Sequence, residues 1–409
     1  MSRPLLSFFA TLAACAAIVI SCVEGKAASA VPGVTDTEVL LGGTHPFSGP
    51  VSAYGVIDKG IQAYFSYVND RGGVNGRKIT YKDLDDAYSP PQALQLTKQL
   101  VEQDHVFAIF NALGTPSSVA VRPYLNANKV PQLFLATGAT TFGRDASKFP
   151  WTIGFQPDYQ AESNIFGKFI AQHAPNAKVA VLYQNDDFGQ DYVTGLQRGL
   201  GTKAAQIVKT ASYEVSDPDV RSQVASLKAS GADTFLIAAN PKFATQALVA
   251  VGQLSWKVTT YLADVSSSQV VMRAASQQGG AGATEGVVTA GYLLDPTNPT
   301  YANTKGMKLY RQLLAKYQPA TDASNLIVFY GMAVAYTMVD TLERAGKDLT
   351  REKIMDVATH LSERDNPFAL PGVAVQTSPD DRFPIRQEQL ARYVGGGWQP
   401  FGPIIDARK

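Results

Sequence analysis

The chain has 409 residues, of which 45% are hydrophobic and 17% are charged, and its formal net charge is +1. This length predicts two domains. A nearly neutral chain lacks the basic surface that binds nucleic acid or an anionic membrane, so neither partner is expected. The composition favours a monomer that handles small molecules.

The first thirty residues are typical of a secretory signal peptide. Arg3 gives a basic start, residues 5–22 are almost wholly apolar, and Ala28-Ser29-Ala30 is an exit of small residues. We therefore expect residues 1–30 to be removed and the protein to work outside the cytoplasm. Two alternatives stay open. One is a retained membrane anchor, and the other is a lipid tether on Cys22, whose preceding residues are similar to a bacterial lipobox.

Both cysteines, Cys15 and Cys22, lie in this leader. Its removal leaves no thiol for a disulfide, a nucleophile or a metal site. Removal also takes away Arg3, Lys26 and Glu24, which leaves equal numbers of basic and acidic residues. The mature protein is then formally neutral.

Short apolar runs alternate with amphipathic stretches from residue 39 onward. Strands are predicted at 39–42, 79–81, 106–110 and 132–135. Residues 57–68 place their apolar side chains on one helical face. Pro90 and Pro116 open two further helices, since proline is suited to a helix's first turn.

The pattern restarts after residues 155–157. Strands are predicted at 179–182, 207–213, 234–238 and 260–262, and residues 286–292 are read as a strand that returns the chain to the first lobe. Helices are predicted at 300–316 and 325–345. Residues 373–398 are read as an antiparallel hairpin, with turn residues at 379–381 and glycines at 395–397. No stretch after the leader is predicted to span a bilayer.

Alternating strands and helices imply parallel sheets covered by helices on both faces. The fold class is therefore α/β, with two Rossmann-like, doubly wound lobes. We assign residues 31–156 and 288–360 to the first lobe. Residues 157–287 and part of 361–409 form the second lobe and the hinge crossovers.

Side chains for catalysis or metal binding are not arranged in any recognisable pattern. There is no Gly-x-Ser-x-Gly elbow, no dinucleotide or phosphate loop and no His-Glu-x-x-His. The adjacent carboxylates Asp85-Asp86 and Asp186-Asp187 are expected to be solvated loop residues. We expect no enzymatic activity, no metal and no cofactor. None of the histidines is spaced as a helical metal ligand: His45, His105, His173 and His360.

Six segments carry a resemblance to the branched-chain amino acid binding proteins of bacterial ABC importers. They occur in the same order and with similar spacing over essentially the whole chain after the leader. They are residues 43–55 (GTHPFSGPVSAYG), 69–77 (NDRGGVNGR), 85–90 (DDAYSP), 130–134 (VPQLF), 185–189 (NDDFG) and 229–233 (ASGAD).

The resemblance implies two Rossmann-like lobes joined by three crossover segments, with a ligand captured between them by hinge closure. It also implies a periplasmic protein that delivers its ligand to the membrane subunits of an ABC permease. An amino acid or amide is the first expectation for the ligand. An aromatic or other carboxylic acid is the alternative, and so is a sensor that reports the ligand instead of feeding a permease.

Ligands of open parallel sheets bind beyond the carboxyl ends of the strands, where this sequence has polar loops. The resemblance implies that Tyr54 is the aromatic residue lining the cleft and that Asp264 binds the ligand's ammonium group. Tyr54 could instead hold its helix to the lobe, and Asp264 could instead cap a helix. Phe188 and Asn240 stand where tyrosines often lie.

The places of a serine and a threonine that bind the ligand carboxylate in the family hold Gly114 and Ala139 here. Thr115, Thr137 and Thr140 are close enough in sequence to take over that role with a shifted geometry, and Asn111 belongs to the same group of loops. The candidate ligand-binding residues are therefore Tyr54, Asn111, Gly114, Thr115, Thr137, Ala139, Phe188, Asn240 and Asp264.

Overall fold

A computed structural model describes Met1 and residues 31–407. The predicted signal peptide, the retained anchor and the lipid tether on Cys22 concern residues outside this part of the chain, so they stay predictions.

The first sheet is built of five strands among the described residues. All are parallel, and their spatial order is the second, first, third, fourth and fifth along the chain. The strands predicted at 39–42, 79–81, 106–110 and 132–135 are confirmed, the first two being longer than predicted. The strands are β1 (Glu38–His45), β2 (Lys78–Asp85), β3 (Ala108–Phe110), β4 (Gln132–Leu135) and β5 (Thr152–Gly154).

The second sheet begins with β6 (Val179–Gln184), β7 (Ile207–Tyr213), β8 (Thr234–Ala238), β9 (Thr259–Leu262) and β10 (Val288–Gly291). These five are parallel and lie in the order β7-β6-β8-β9-β10, which repeats the order of the first sheet. In both sheets the spatial order of the strands therefore changes direction at the strand that comes first along the chain, as in doubly wound sheets.

The remaining strands come from the C-terminal part of the chain. They are β11 (Ser362–Glu363), β12 (Val375–Gln376), β13 (Gln387–Val394), β14 (Gly397–Pro400) and β15 (Ile405–Asp406). Strand β13 extends the second sheet antiparallel to β10, and β14 and β15 pair with β13. Strands β11 and β12 pair with each other.

Helices cover both sheets. Helices α1 to α4 pack on the first sheet, α6, α7 and α8 pack on the second, and α5 and α9 pack on α6 and α8 respectively. The helices are α1 (Ile57–Asn69), α2 (Pro90–Glu102), α3 (Thr115–Ala127), α4 (Thr141–Arg144), α5 (Tyr159–His173), α6 (Asp187–Leu200), α7 (Arg221–Lys228), α8 (Pro241–Gln253), α9 (Gln269–Gly279), α10 (Lys305–Tyr317), α11 (Leu326–Ala345) and α12 (Arg351–Ala358).

The chain crosses between the two sheets three times. It leaves the first sheet after β5, returns after β10 to place α10 and α11 against α1, and enters the second sheet again at β13. We call each sheet with its helices a lobe. The predicted fold class, two doubly wound α/β lobes joined by three crossovers, is confirmed. The residue boundaries assigned to the lobes stay a prediction, and β10 itself is hydrogen-bonded within the second sheet.

Two glycines set how closely α11 lies against α1. A Cβ atom on Gly60 would come 2.0 Å from the carbonyl oxygen of Val328, and one on Gly331 would come 2.2 Å from that of Ile57. No side chain can occupy that space, so the two helix backbones touch at this crossing. Helix α11 is long and apolar enough to cross a membrane, contrary to the prediction, but it is mostly buried in this lobe, as a core helix is.

The predicted antiparallel pairing of the C-terminal segment is confirmed at both turns, but as two separate hairpin turns and not as one hairpin. Gly395 and Gly396, both with positive φ, join the paired strands β13 and β14. The turn at Pro379 to Asp381 is closed by antiparallel bridges between Ser378 and Asp381 and between Val375 and Ile385. Strand β12 before it also pairs with β11.

Candidate functional site

A cavity lies between the lobes, at the carboxyl ends of strands from both sheets. Its empty volume is about 860 Å³, including the open mouth. Tyr54 follows β1, Gly114 follows β3, Asn240 follows β8 and Asp264 follows β9. The two sheets therefore present the ends at which doubly wound proteins bind ligands.

Aromatic rings form much of the cavity wall. The rings of Tyr159 and Phe188 meet edge to face, with their centroids 4.9 Å apart. Burial raises the pKa of Tyr88 and Tyr159 well above the usual range, so both phenols stay neutral. The aromatic residues lining the cavity are Tyr54, Tyr88, Tyr159, Phe188, Tyr292 and Tyr330.

Tyr54 connects the two lobes. It lies in a 3-10 turn at Ser52–Val56, directly before α1, and its hydroxyl donates a hydrogen bond to the carbonyl oxygen of Val265, 3.2 Å away. Because Val265 follows β9, this bond crosses the cavity from the first lobe to the second. Tyr54 thus both lines the cavity and holds the lobes together.

The turn after β2 directs Tyr88 into the cavity. Asp85 accepts a hydrogen bond from the Ala87 N–H (2.9 Å), and Asp86 accepts one from the Tyr88 N–H (2.8 Å). Both Ala87 and Tyr88 have positive φ, which is uncommon for residues with a side chain. Asp85 and Asp86 were predicted to be solvated, but their role is structural. Asp86 is buried, and both carboxylates stabilise this turn.

The ring of Tyr88 explains the glycine at position 114. A Cβ atom on Gly114 would lie 2.5 Å from Cε2 of Tyr88, and Gly114 has a φ of +100°. Tyr88 therefore fills the space in which a longer side chain would stand. Gly114 lines the cavity only with its backbone.

The threonines beside Gly114 form a buried pair. The hydroxyls of Thr115 and Thr137 are 2.7 Å apart, and the Ala139 N–H donates to Thr137 over 3.2 Å. Of these, only Thr115 lines the cavity. Thr137 and Ala139 lie behind it.

Asn111 also lies behind the cavity wall. It is fully buried, and its amide donates to the Phe134 carbonyl (2.6 Å) and to the Tyr330 hydroxyl (2.9 Å). Since Tyr330 lines the cavity, Asn111 supports a wall residue. Six of the nine predicted site residues thus line the cavity, and Asn111, Thr137 and Ala139 do not.

Asp264 brings a carboxylate to the second-lobe side of the cavity. Burial raises its pKa to about 6, an effect partly offset by hydrogen bonds to the Glu162 side chain and the Val265 N–H. The Asp264 N–H donates to Glu162 Oε1 over 2.9 Å. Asp264 begins a 3-10 turn but makes no side-chain cap there, so the capping alternative is not what the structure shows.

Two further carboxyl groups stand behind Asp264. Glu162 is fully buried and accepts a hydrogen bond from the Tyr192 hydroxyl, and Glu388 on β13 is 1% exposed. Burial and the charge of Asp264 raise the pKa of both glutamates well above the usual range. The cavity lining within the described residues includes no Lys, Arg or His. The site is therefore poor in positive charge and rich in acidic groups.

Gln184 and Asn240 form a polar group on the second-lobe wall. Gln184 Oε1 accepts hydrogen bonds from the Tyr213 hydroxyl and the Asn240 amide, each over 3.1 Å. Gln184 Nε2 donates to Asp186 (2.6 Å) and, across the cavity, to the Tyr88 hydroxyl (3.3 Å). Like Tyr54, Gln184 links the two lobes.

Sequence reasoning did not select Tyr88, Gln184 or Glu162. Tyr88 lies in the segment 85–90 that carries the resemblance, so that signal was present. Gln184 ends β6, two residues beyond the predicted strand, and Glu162 lies within a helix, where no local pattern distinguishes a buried carboxyl. His45, the last residue of β1, is fully buried, and its ring pairs with Asp83 (2.7 Å) outside the cavity.

Two doubly wound lobes around a cavity of this composition define the class of two-lobe α/β binding proteins. A family model described as periplasmic binding protein matches residues 38–397. The chain belongs to this family and has its type I fold, as the resemblance implied.

Relatives and solved structures agree with this assignment. The chain is 26% identical over 198 residues to a Leu/Ile/Val-binding protein homolog 3 of Brucella melitensis biotype 1, covering 48% of this chain and 53% of that protein. The chain thus spans about half the length of the curated relatives it matches.

Two solved structures cover most of the chain. A branched-chain amino acid ABC transporter protein of Thermus thermophilus with bound valine has a TM-score of 0.79 at 17% identity, over 91% of this chain and 97% of that one. A solute-binding protein of an ABC transporter from Rhodopseudomonas palustris BisB5, in complex with 3,4-dihydroxybenzoic acid, has a TM-score of 0.74 at 19% identity, over 91% and 98%. At these identities the likeness shows the fold alone.

Proposed function

We propose that this protein is the periplasmic solute-binding component of an ABC importer, and that its ligand is a small organic molecule with an ammonium or other nitrogen-bound proton donor. An amino acid or an amide is the first candidate. The observation that carries the proposal is the carboxylate of Asp264 on a cavity wall without Lys, Arg or His among the described lining residues.

The charge distribution favours a cationic group in the ligand. Asp264, Glu162 and Glu388 lie close enough to influence each other's protonation, and the main influences on their pKa values include no positively charged side chain. An ammonium group beside Asp264 supplies the missing positive charge. A hydrogen bond between charged partners in such a partly desolvated site is stronger than one between neutral groups.

A ligand carboxylate would be bound at the first-lobe wall. Helix α3 begins at Thr115, and its first turn contains unpaired N–H groups and a partial positive charge. The hydroxyl of Thr115 is the side-chain donor there. This is a shifted version of the subsite that the family resemblance implied at positions 114 and 139.

Hinge closure around the ligand accords with the bonds that cross the cavity. Tyr54 bonds to Val265, and Tyr88 bonds to Gln184, in each case from the first lobe to the second. Because these bonds form only when the lobes face each other closely, we propose that they stabilise the closed state.

The decisive experiment combines ligand identification with a measurement of shape. The mature protein is purified from the periplasm, and native mass spectrometry reads any small molecule that remains bound. Calorimetry then tests the protein amino acids, their amides and benzoates, and small-angle scattering follows closure. A ligand that binds and reduces the radius of gyration supports the proposal. Absence of binding to every member of the set, or binding without closure, contradicts it.

An aromatic carboxylic acid is the second candidate. The ring-lined wall and the absence of a side chain at Gly114 favour it, and the R. palustris structure holds such a ligand. The variant Asp264→Asn separates the two candidates with little change in shape. This variant should bind an ammonium ligand much more weakly, but its affinity for a ligand with only a carboxylate should be unchanged or raised.

Delivery to a permease, as opposed to sensing, is tested in cells. Uptake of the identified ligand should be lost when the gene is deleted and restored by the wild-type gene. Normal uptake in the deletion strain, with loss of a transcriptional response to the ligand, would favour the sensor.

A further inference from the structure

The hydrogen-bond network on the second-lobe wall has a defined direction. The backbone N–H of Asn240 can only donate, and it donates to the Tyr213 oxygen over 3.1 Å. The one proton of the Tyr213 hydroxyl therefore goes to its other partner, Gln184 Oε1. Asp186, a carboxylate 2.6 Å from Gln184 Nε2, requires the same orientation of the Gln184 amide, because the opposite one would set two oxygens against each other.

The orientation of Gln184 fixes that of Asn240. The atom of Asn240 that faces Gln184 Oε1 must be the donor Nδ2, at 3.1 Å. Asn240 Oδ1 then points away from this bond. It is buried without a hydrogen-bond partner among the described residues, although Asn240 lines the cavity and is only 3% exposed. A buried acceptor of this kind requires a donor.

Tyr88 supplies the complementary group on the opposite wall. Its hydroxyl oxygen accepts from Gln184 Nε2, so its own proton is left for another acceptor. Both Tyr88 and Asn240 are connected to the same Gln184 amide. One end of the cavity thus offers an acceptor and a donor that Gln184 holds in place.

We propose that Asn240 and Tyr88 form a subsite that recognises a hydrogen-bond donor and a hydrogen-bond acceptor paired on the ligand, as in a carboxamide or a hydroxyl group. The proposal deepens the proposed function and rests on it, since it concerns the same cavity. It excludes ligands that are purely aliphatic at this end. An aliphatic group would leave Asn240 Oδ1 and the Tyr88 hydroxyl proton without hydrogen-bond partners in the closed cavity.

Matched ligand pairs test the subsite. L-Glutamine and L-leucine share the amino acid head and have side chains of similar size, but only glutamine has the carboxamide. 4-Hydroxybenzoate and benzoate differ only in a hydroxyl. Calorimetry on the full mature protein should give glutamine at least a tenfold tighter Kd than leucine, or 4-hydroxybenzoate a tenfold tighter Kd than benzoate, because a buried acceptor left unpaired costs roughly that factor or more.

Substitutions then assign the preference to the two side chains. Asn240→Leu keeps the number and branching of the side-chain heavy atoms but removes the amide, and it should bring the affinity ratio of the preferred pair close to one or invert it. Tyr88→Phe should lower the ratio about threefold or more. Asn164→Leu makes the same exchange on α5, outside the cavity lining, and should leave the ratio unchanged. Since each ratio is measured on one sample, a partly unfolded variant does not alter it.

The outcomes separate this subsite from the proposed function. If leucine binds wild-type protein as tightly as glutamine, or Asn240→Leu keeps the wild-type ratio, the subsite is refuted and the amino acid proposal stands. If the benzoate pair binds with the hydroxyl preferred, and no amino acid or amide of the wider set binds, the subsite stands and the amino acid proposal falls. If no member of either pair binds, the subsite is refuted, and the wider ligand set decides the proposed function.

Discussion

The charge on Asp264 should control how ligand affinity depends on pH. Burial raises the pKa of this carboxyl to about 6. An ammonium ligand binds the ionised form, so its affinity should be constant above that pH and fall about tenfold for each unit below it. At pH 5 roughly one tenth of the protein has Asp264 ionised, and the Kd should be about tenfold weaker than at pH 8.

Asp264→Asn removes this charge while keeping the shape of the side chain. A hydrogen bond to a charged group contributes about 1.5–3 kcal/mol, so the variant should bind an ammonium ligand roughly 10- to 150-fold more weakly at pH 8. The pH dependence should disappear with it, because Asn does not titrate.

Calorimetry between pH 5 and pH 8, repeated in two buffers with different enthalpies of ionisation, measures both effects. Near pH 6 the wild-type protein should release protons when it binds the ligand, and the variant should not. An affinity that is flat from pH 5 to pH 8, or an Asn variant that keeps the wild-type slope, would refute the assigned role of Asp264.

Three further variants or conditions test other parts of the structure. Without ligand, the free energy of unfolding should fall as the pH rises from about 4 through 6, because the raised pKa of Asp264 stabilises the folded state only while this carboxyl is protonated. Thermal unfolding at several pH values measures this, and a rise in stability over that range would contradict it. Gly114→Ser should lower the free energy of unfolding by about 1–3 kcal/mol, since it adds a clash with Tyr88 at a positive φ, whereas Gly282→Ser in open space should have little effect. Tyr54→Phe should weaken ligand binding roughly fivefold through the lost bond of about 1 kcal/mol to Val265, and an unchanged scattering profile and affinity would show that this bond does not support closure.

Most of the fold could be predicted because its signals are local. The apolar runs that form β6 to β9 are short and bounded by turn residues, so their positions follow from the sequence alone. Pairing is not local. The turn signals at 379–381 and 395–397 predict local antiparallel turns, but neither predicts that β13 also pairs with β10, about a hundred residues earlier in the chain, because only the assembled sheet determines that pairing.

The candidate site was predictable to the extent that it lies directly after strands. Tyr54, Asn240 and Asp264 could be placed by strand order and the family resemblance. The replacement of a side chain at position 114 by the ring of Tyr88 could not be predicted, because the loops after β2 and β3 come so close that a Cβ atom on Gly114 would lie 2.5 Å from Tyr88 Cε2. No sequence pattern around Gly114 or Tyr88 indicates that these two residues lie against each other.

Recognition and closure use the same side chains in this cavity. Tyr88 accepts a hydrogen bond from Gln184 across the lobes, and its proton remains for the ligand. In the open state the Gln184 Nε2 and Tyr88 groups would each be hydrated, so their mutual bond contributes to closure only the net free energy of one hydrogen bond, about 1 kcal/mol. A ligand that bonds to Tyr88 and Asn240 makes closure favourable, because it pairs polar groups that closure removes from water. A ligand without those groups would gain less free energy from closure. On the proposed function, the polar end of the cavity would therefore select ligands through the energy of closure as well as through contact.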